Sequence, residues 1–273
     1  MPNTPTGQFE AIHKPTHPRG SMPIPGRVGL FITCLTDQFY PQTGVAVVKI
    51  LEHFGVKVEF PANQTCCGQP FYNNGFMPET AKLARKLLDL LEPYPAIVSP
   101  SGSCCAMLRE HYFELFKDDA VYLKKAHKVA EKSFEFVECL TYVLKVDLSP
   151  FALPAKEKIT FSYTCHGRGL GLTDEASALL CQLGNVDFVP LNKTEQCCGF
   201  GGTFALKYPA ISGTMVQDKL DNLKATGATS AICNDAGCTM NIAGMCNRHG
   251  VDIQIRHIAD VIAGAMKLDT TSL

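Results

Sequence analysis

No stretch of about 18 apolar residues runs through this chain, so nothing in it reads as a membrane-spanning helix. Charge of either sign fails to collect. Lys and Arg number 25 against 26 Asp and Glu, without long blocks, which argues against a nucleic-acid face, a polybasic patch or direct membrane insertion. The N-terminus, MPNTPTGQFEAIHKPTHPRGSMPIPGR, lacks the apolar core of a secretory signal, so a soluble protein of the cytoplasm is expected. No Cys-x-x-Cys occurs among the 13 cysteines, which removes the usual zinc knuckle and the usual dithiol redox motif. Gly199-Phe200-Gly201-Gly202 is not continued as Gly-x-x-x-x-Gly-Lys-Ser/Thr, and no Gly-x-Gly-x-x-Gly follows the first strand. Nucleotide binding is therefore not expected.

What the chain does contain is one short pattern spelled twice. Gln64-Thr65-Cys66-Cys67-Gly68-Gln69-Pro70 returns as Glu195-Gln196-Cys197-Cys198-Gly199-Phe200-Gly201-Gly202. A lone cysteine precedes each pair by 31 intervening residues, Cys34 before Cys66 and Cys165 before Cys197. A further cysteine follows each in a turn of small residues, Cys104 in Ser101-Gly102-Ser103-Cys104 and Cys238 in Asp235-Ala236-Gly237-Cys238. Eight of the 13 cysteines thus form two sets of one design, and each set reads as the ligand shell of a metal cofactor. With a normal apolar fraction and no export signal, reduced thiols fit better than disulfides.

At 273 residues the chain has room for two ordinary domains, and the repeat divides it into two similar halves. Residues 1–26 are expected as a proline-rich flexible arm, 27–148 as the first cysteine-rich domain and 157–268 as the second, with a hinge at 147–156. Apolar runs end at or near ligand cysteines, as in Val28–Cys34 and Ile159–Cys165, and alternate with helical patterns at 44–54, 78–91, 105–116, 120–145, 174–183 and 203–225. The expected fold is α/β: two pseudo-repeated Rossmann-like half-domains with mainly parallel sheets and ligand loops at the C-terminal strand edges. Residues far apart in sequence can meet at such an edge.

Thiolates in fours are the usual supply for iron in a sulfide cluster. Adjacent cysteines make a poor disulfide, but a following glycine lets the loop turn tightly and bring N–H groups against sulfur. Zinc, purely structural thiols and thiol-based redox chemistry are the competing readings. Cys139, Cys181 and Cys246 fall at apolar helical positions and are expected in the core, whereas Cys105 and Cys233 lie beside ligand loops. His166 reads as a hydrogen-bond donor to a ligand thiolate, a proton carrier or a helix-start residue. Arg168 reads as a carboxylate partner or a surface arginine, and Lys207 as an ordinary surface cation.

The cysteine, the Cys-Cys-Gly after about 31 residues and the later cysteine resemble the CCG domain of the heterodisulfide reductase B subunit and the glycolate oxidase iron–sulfur subunit. Thr65–Pro70, Pro100–Cys104, Cys197–Phe204 and Gly237–Ile242 are most similar to the lactate-utilisation protein A branch of that group. The resemblance covers residues 27–266. It implies an iron–sulfur subunit of a multi-component L-lactate dehydrogenase that works without NAD, oxidising lactate to pyruvate with a ferredoxin-like iron–sulfur subunit and a third small subunit. It implies [4Fe-4S] clusters, of the noncubane type in the heterodisulfide reductase relatives, held by Cys34, Cys66, Cys67 and Cys104 and by Cys165, Cys197, Cys198 and Cys238. In those relatives a Cys-x-x-Cys completes five ligands. Here Ser101 and Asp235 stand three residues before Cys104 and Cys238, which offers an oxygen ligand at each set. His166 and Arg168 are the candidate catalytic residues. The alternative is an assembly or binding subunit, stabilised by zinc at one site or by a cluster, with no redox role of its own.

Overall fold

The computed structural model describes residues 25–272, so residues 1–24 of the expected arm lie outside the described residues. The first half runs β1 (Arg27–Leu30), α1 (Cys34–Phe39), α2 (Pro41–His53), β2 (Lys57–Glu59), α3 (Gln69–Tyr72), α4 (Met77–Leu91), β3 (Ile97–Ser99) and α5 (Gly102–Ala106). A π-helical turn, Met107–His111, leads into α6 (Tyr112–Leu115), α7 (Ala120–Ala130), β4 (Ser133–Glu135), α8 (Phe136–Glu138) and a second π-helical turn, Cys139–Val143. The second half follows as β5 (Ala152–Phe161), α9 (Cys165–Gly169), α10 (Glu175–Gln182), β6 (Gly184–Phe188), α11 (Phe204–Lys207), α12 (Pro209–Thr226), β7 (Ser230–Cys233), α13 (Ala236–His249), β8 (Gln254–His257) and α14 (Ile258–Ala265).

The strands form two four-stranded sheets of identical order, β2-β1-β3-β4 and β6-β5-β7-β8. Every pairing is parallel. Parallel strands need helical crossovers, and those helices bury both sheet faces. The α/β class and the repeat are therefore as the sequence predicts.

Three expectations are corrected. The helix expected over 120–145 is broken, because Ser133–Glu135 joins the first sheet as β4, paired with β3. Regular structure is not interrupted throughout 147–156: β5 begins at Ala152 and passes through Pro154. The missing N–H of that proline falls where the β5–β6 register slips, between Ala152 and Glu157. Cys34 and Cys165 do not end strands; each opens a short helix.

The halves interlock about an approximate two-fold relation. α2 packs on α14, while its repeat partner α10 packs on α8. Their apolar faces enter one core cluster that holds Val47 and Ile50 from the first half and Leu179, Leu180, Ile258 and Ile262 from the second. The helices that carry Cys34, Cys104, Cys165 and Cys238 cross over in the same way, α5 against α9 and α1 against α13. At the first of these crossings a Cβ added to Gly102 would meet Gly167 N at 2.9 Å. Glycine at position 102 lets these helix starts come so near.

Candidate metal centre

Each lone cysteine is fixed by the threonine before it. Thr33 Oγ1 accepts from Thr36 N at 3.4 Å and Thr164 Oγ1 accepts from Gly167 N at 3.2 Å, the ordinary N-cap arrangement. In the pair loops, Gly68 and Gly199 take φ of +84° and +78°, left-handed backbone that favours glycine. That turn aims the glycine N–H back at the first sulfur of the pair, 3.4 Å in both halves. The second cysteine of each pair is held through its carbonyl, which accepts from Tyr112 Oη at 2.7 Å for Cys67 and from Asn241 Nδ2 at 2.7 Å for Cys198.

The sulfurs of each set meet. Cys34 Sγ is 3.6 Å from Cys66 Sγ, and Cys67 Sγ is 3.3 Å from Cys104 Sγ. In the second half Cys198 Sγ and Cys238 Sγ are 2.8 Å apart, and Cys165 is hydrogen-bonded to Cys197. Both sets face one cavity of about 340 Å³ between the halves, to which all eight sulfur-bearing residues contribute. Among the described residues no three His, Cys, Asp or Glu side chains are grouped to hold a single metal ion. The thiols stand in neighbouring pairs along the cavity wall.

Cys66 and Cys197 are the thiols poised to ionise first. Cys66 is lowered far below the ordinary cysteine value by the hydrogen bond from Cys34, then that from Cys67 and the Gly68 N–H. Cys197 is lowered in the same way by Cys165, Cys198 and Gly199. Their donors move the other way: Cys34 and Cys165 are raised by these bonds and by burial.

Ser101 and Asp235 are helix caps that also bind each other. Ser101 Oγ accepts from Cys104 N at 3.3 Å and donates to Asp235 Oδ2 at 2.8 Å. Asp235 also accepts from Ser103 N and Gly237 N, so the oxygens expected as extra ligands knit the two halves together beside the cavity. His166 lines the cavity, with Nδ1 3.5 Å from Cys165 Sγ and Nε2 3.2 Å from Gln69 Nε2. Arg168 does not line it; its guanidinium donates to the Glu195 carbonyl at 2.5 Å and so tethers the loop that enters Cys197. Lys207 binds Asn74 Oδ1.

Cys105 and Cys233 are buried and contribute nothing to the cavity wall. Cys139 and Cys246 are buried as expected, but Cys181 is exposed: Leu179 and Leu180 take the inner face of α10 and turn the next residue outward. Sequence reasoning missed Lys219, fully buried on α12. The signal was a lysine within the apolar spacing of Val216, Leu220 and Leu223.

A profile of the cysteine-rich CCG domain matches residues 28–109 and 159–243. The chain is 44% identical to Lactate utilization protein A of Shouchella clausii (strain KSM-K16) over 236 residues, 86% of this chain and 98% of that protein. It is 41% identical to Lactate utilization protein A 2 of Bacillus cereus (strain AH820) over 238 residues, 87% of this chain and 98% of that protein. Among solved structures, glutamate racemase isoform RacE1 from Bacillus anthracis aligns over 89% of this chain and 80% of its own, at 12% identity and a TM-score of 0.37.

Proposed function

The chain belongs to the lactate utilization protein A family of cysteine-rich CCG-domain proteins, and from that membership we propose that it is an iron–sulfur subunit of a multi-component L-lactate-oxidising system. The observation that carries this reading is the meeting of two four-thiol sets on one cavity. Every donor in both sets is a thiol, the ligand type of iron–sulfur groups. A buried ammonium, Lys219 Nζ, has no hydrogen-bond partner among the described residues and lies beside the second set, where a negatively charged thiolate group would complete it. The residues present therefore fit such a group in each half, held by Cys34, Cys66, Cys67 and Cys104 and by Cys165, Cys197, Cys198 and Cys238. Bound there, it would supply one-electron storage.

The chain's own residues do the rest. Gly68 N and Gly199 N donate to the first sulfur of each pair, and such bonds tune the potential of what the sulfur binds. Oxidising lactate to pyruvate releases two electrons and two protons. His166 is the cavity-wall base for a proton: Gln69 donates to Nε2, which leaves the ring proton on Nδ1 facing Cys165 Sγ. The cavity lies in the range of small-molecule sites, roughly 300–1,000 Å³. Leu206, which lines the cavity, is exposed, as are Phe71, Phe76, Tyr208 and Ile211, large apolar side chains that favour a docked partner; a ferredoxin-like iron–sulfur subunit and a third small subunit are the proposed partners.

Anaerobic purification tests the reading. A brown protein with iron and acid-labile sulfide in comparable amounts is expected. A colourless protein carrying stoichiometric zinc would replace this reading with a structural-metal role.

A further inference from the structure

The two halves can be set in register residue by residue. Thr33 and Thr164 are equivalent caps, so Cys34-Leu35-Thr36-Asp37 overlies Cys165-His166-Gly167-Arg168. Gly68 packs on Thr80 and Gly199 packs on Ser212, which sets α4 against α12. In that register Leu87-Leu88-x-x-Leu91 overlies Lys219-Leu220-x-x-Leu223. Leu87 is wholly buried, as the position requires, and Lys219 is only 1% exposed in the same place. Its Nζ has no hydrogen-bond partner among the described residues. Neighbouring positions of α12, Val216 and Leu220, pack into the cluster that contains Cys198 and Cys233.

A buried ammonium without an anion is costly to fold, and the first half shows that leucine serves this position. The groups that act on Lys219 identify its missing partner. Burial lowers its pKa, the thiols of Cys233, Cys238 and Cys198 act to raise it, and Arg168 adds to the lowering. Arg168 itself replaces Asp37 of the first half, so a second cation is gained on the same side. Asp235, the acid that stands in place of Ser101, is satisfied largely from the first half, by Ser101 Oγ and Ser103 N, besides Gly237 N of its own half.

We propose that Lys219 is the built-in counter-charge of the second cysteine set, and that it sets a thiolate-bound iron–sulfur group there at a higher reduction potential than the one held by the first set. The inference rests on the iron–sulfur reading above. Reduction adds one electron to the group, breaks no bond and takes up no proton. A fixed positive charge in a low-dielectric site favours the more negative, reduced form.

The test uses the full chain, loaded anaerobically and titrated potentiometrically with dithionite as reductant. Two reduction waves are expected, the higher being the one lost in Cys198→Ser. Lys219→Met lowers that wave by at least a tenfold change in its oxidised-to-reduced ratio, about 59 mV for a one-electron couple, and leaves the other in place. Lys219→Arg returns it toward the native position. In metal-free protein Lys219→Leu raises the urea midpoint, because an unpaired charge gives way to the residue the first half uses. An unmoved wave in loaded Lys219→Met, or a lowered urea midpoint in metal-free Lys219→Leu, overturns the proposal. Loss of the second group in Lys219→Met with loading kept in Lys219→Arg supports it, and loss in both overturns it. Native protein that binds no iron or sulfide removes the iron–sulfur reading instead, and the urea comparison still reports on the unpaired charge.

Discussion

At the scale of single residues, the site depends on which sulfur faces the cavity rather than on how many there are. Cys198 is buried and 2.8 Å from Cys238, whereas Cys181 is exposed on α10. Cys198→Ser is expected to lose at least half of the bound iron and most of the electron-transfer activity, and Cys181→Ser to keep both; equal iron contents in the two variants would undo the ligand assignment. The glycines separate in the same way. A Cβ on Gly199 would meet Ser212 O at 2.9 Å, while one on Gly75, at a similar φ of +80°, would meet nothing within 4 Å. Both substitutions carry left-handed strain of about 1 kcal/mol, but Gly199→Ala adds a clash with backbone and should cost about 1–3 kcal/mol in total. Urea denaturation of the two metal-free variants checks this, and indistinguishable midpoints would contradict it.

At the scale of elements, β4 and β8 end in equivalent caps that reach across to the opposite half. Glu135 caps α8 through Val137 N at 2.7 Å, and its Oε1 accepts from Asn234 Nδ2 at 3.3 Å. His257 caps α14 through Ala259 N at 3.2 Å and lies 3.1 Å from the Pro100 carbonyl. Burial pushes the Glu135 carboxyl up to about 8 from 4.5. Between those values the unfolded chain gives up its proton while the folded one keeps it. The contribution is therefore full below about pH 4.5 and is lost as pH rises toward 8, at up to about 1.4 kcal/mol per unit. Glu135→Gln should flatten that decline in a series of urea midpoints from pH 5 to 8, and an unchanged slope would refute the assignment. Little of this element was legible beforehand. β4 has three residues, and the apolar Phe134, Phe136 and Val137 around it mimic a helical face, so local pattern misreads what pairing with β3 decides. The repeated cysteine spacing, by contrast, was legible, and the eight residues line one cavity because parallel strands bring residues after their C-terminal ends to one edge whatever lies between. The charge at Lys219 could have been found by laying Lys219-Leu220-x-x-Leu223 over Leu87-Leu88-x-x-Leu91, but its burial needed the packed α12.

At the scale of the whole molecule, the two repeats share a core. The largest apolar cluster draws on both sheets and on α2, α10 and α14, so neither half covers its own apolar surface. Metal-free full-length chain is expected to unfold in urea as one cooperative transition, and a polypeptide of residues 27–148 to show none; two separate transitions in the full chain would mean that the repeats stand alone. The pairing of α2 with α14 has a further consequence. Thr43 of α2 donates to Asp260 of α14 at 2.9 Å across 217 residues of sequence. On the ribosome, the side of α2 that meets α14 must wait bare until the whole of the second sheet has been translated. Premature termination anywhere in that interval leaves a sticky nascent chain, a natural substrate for chaperones and proteases.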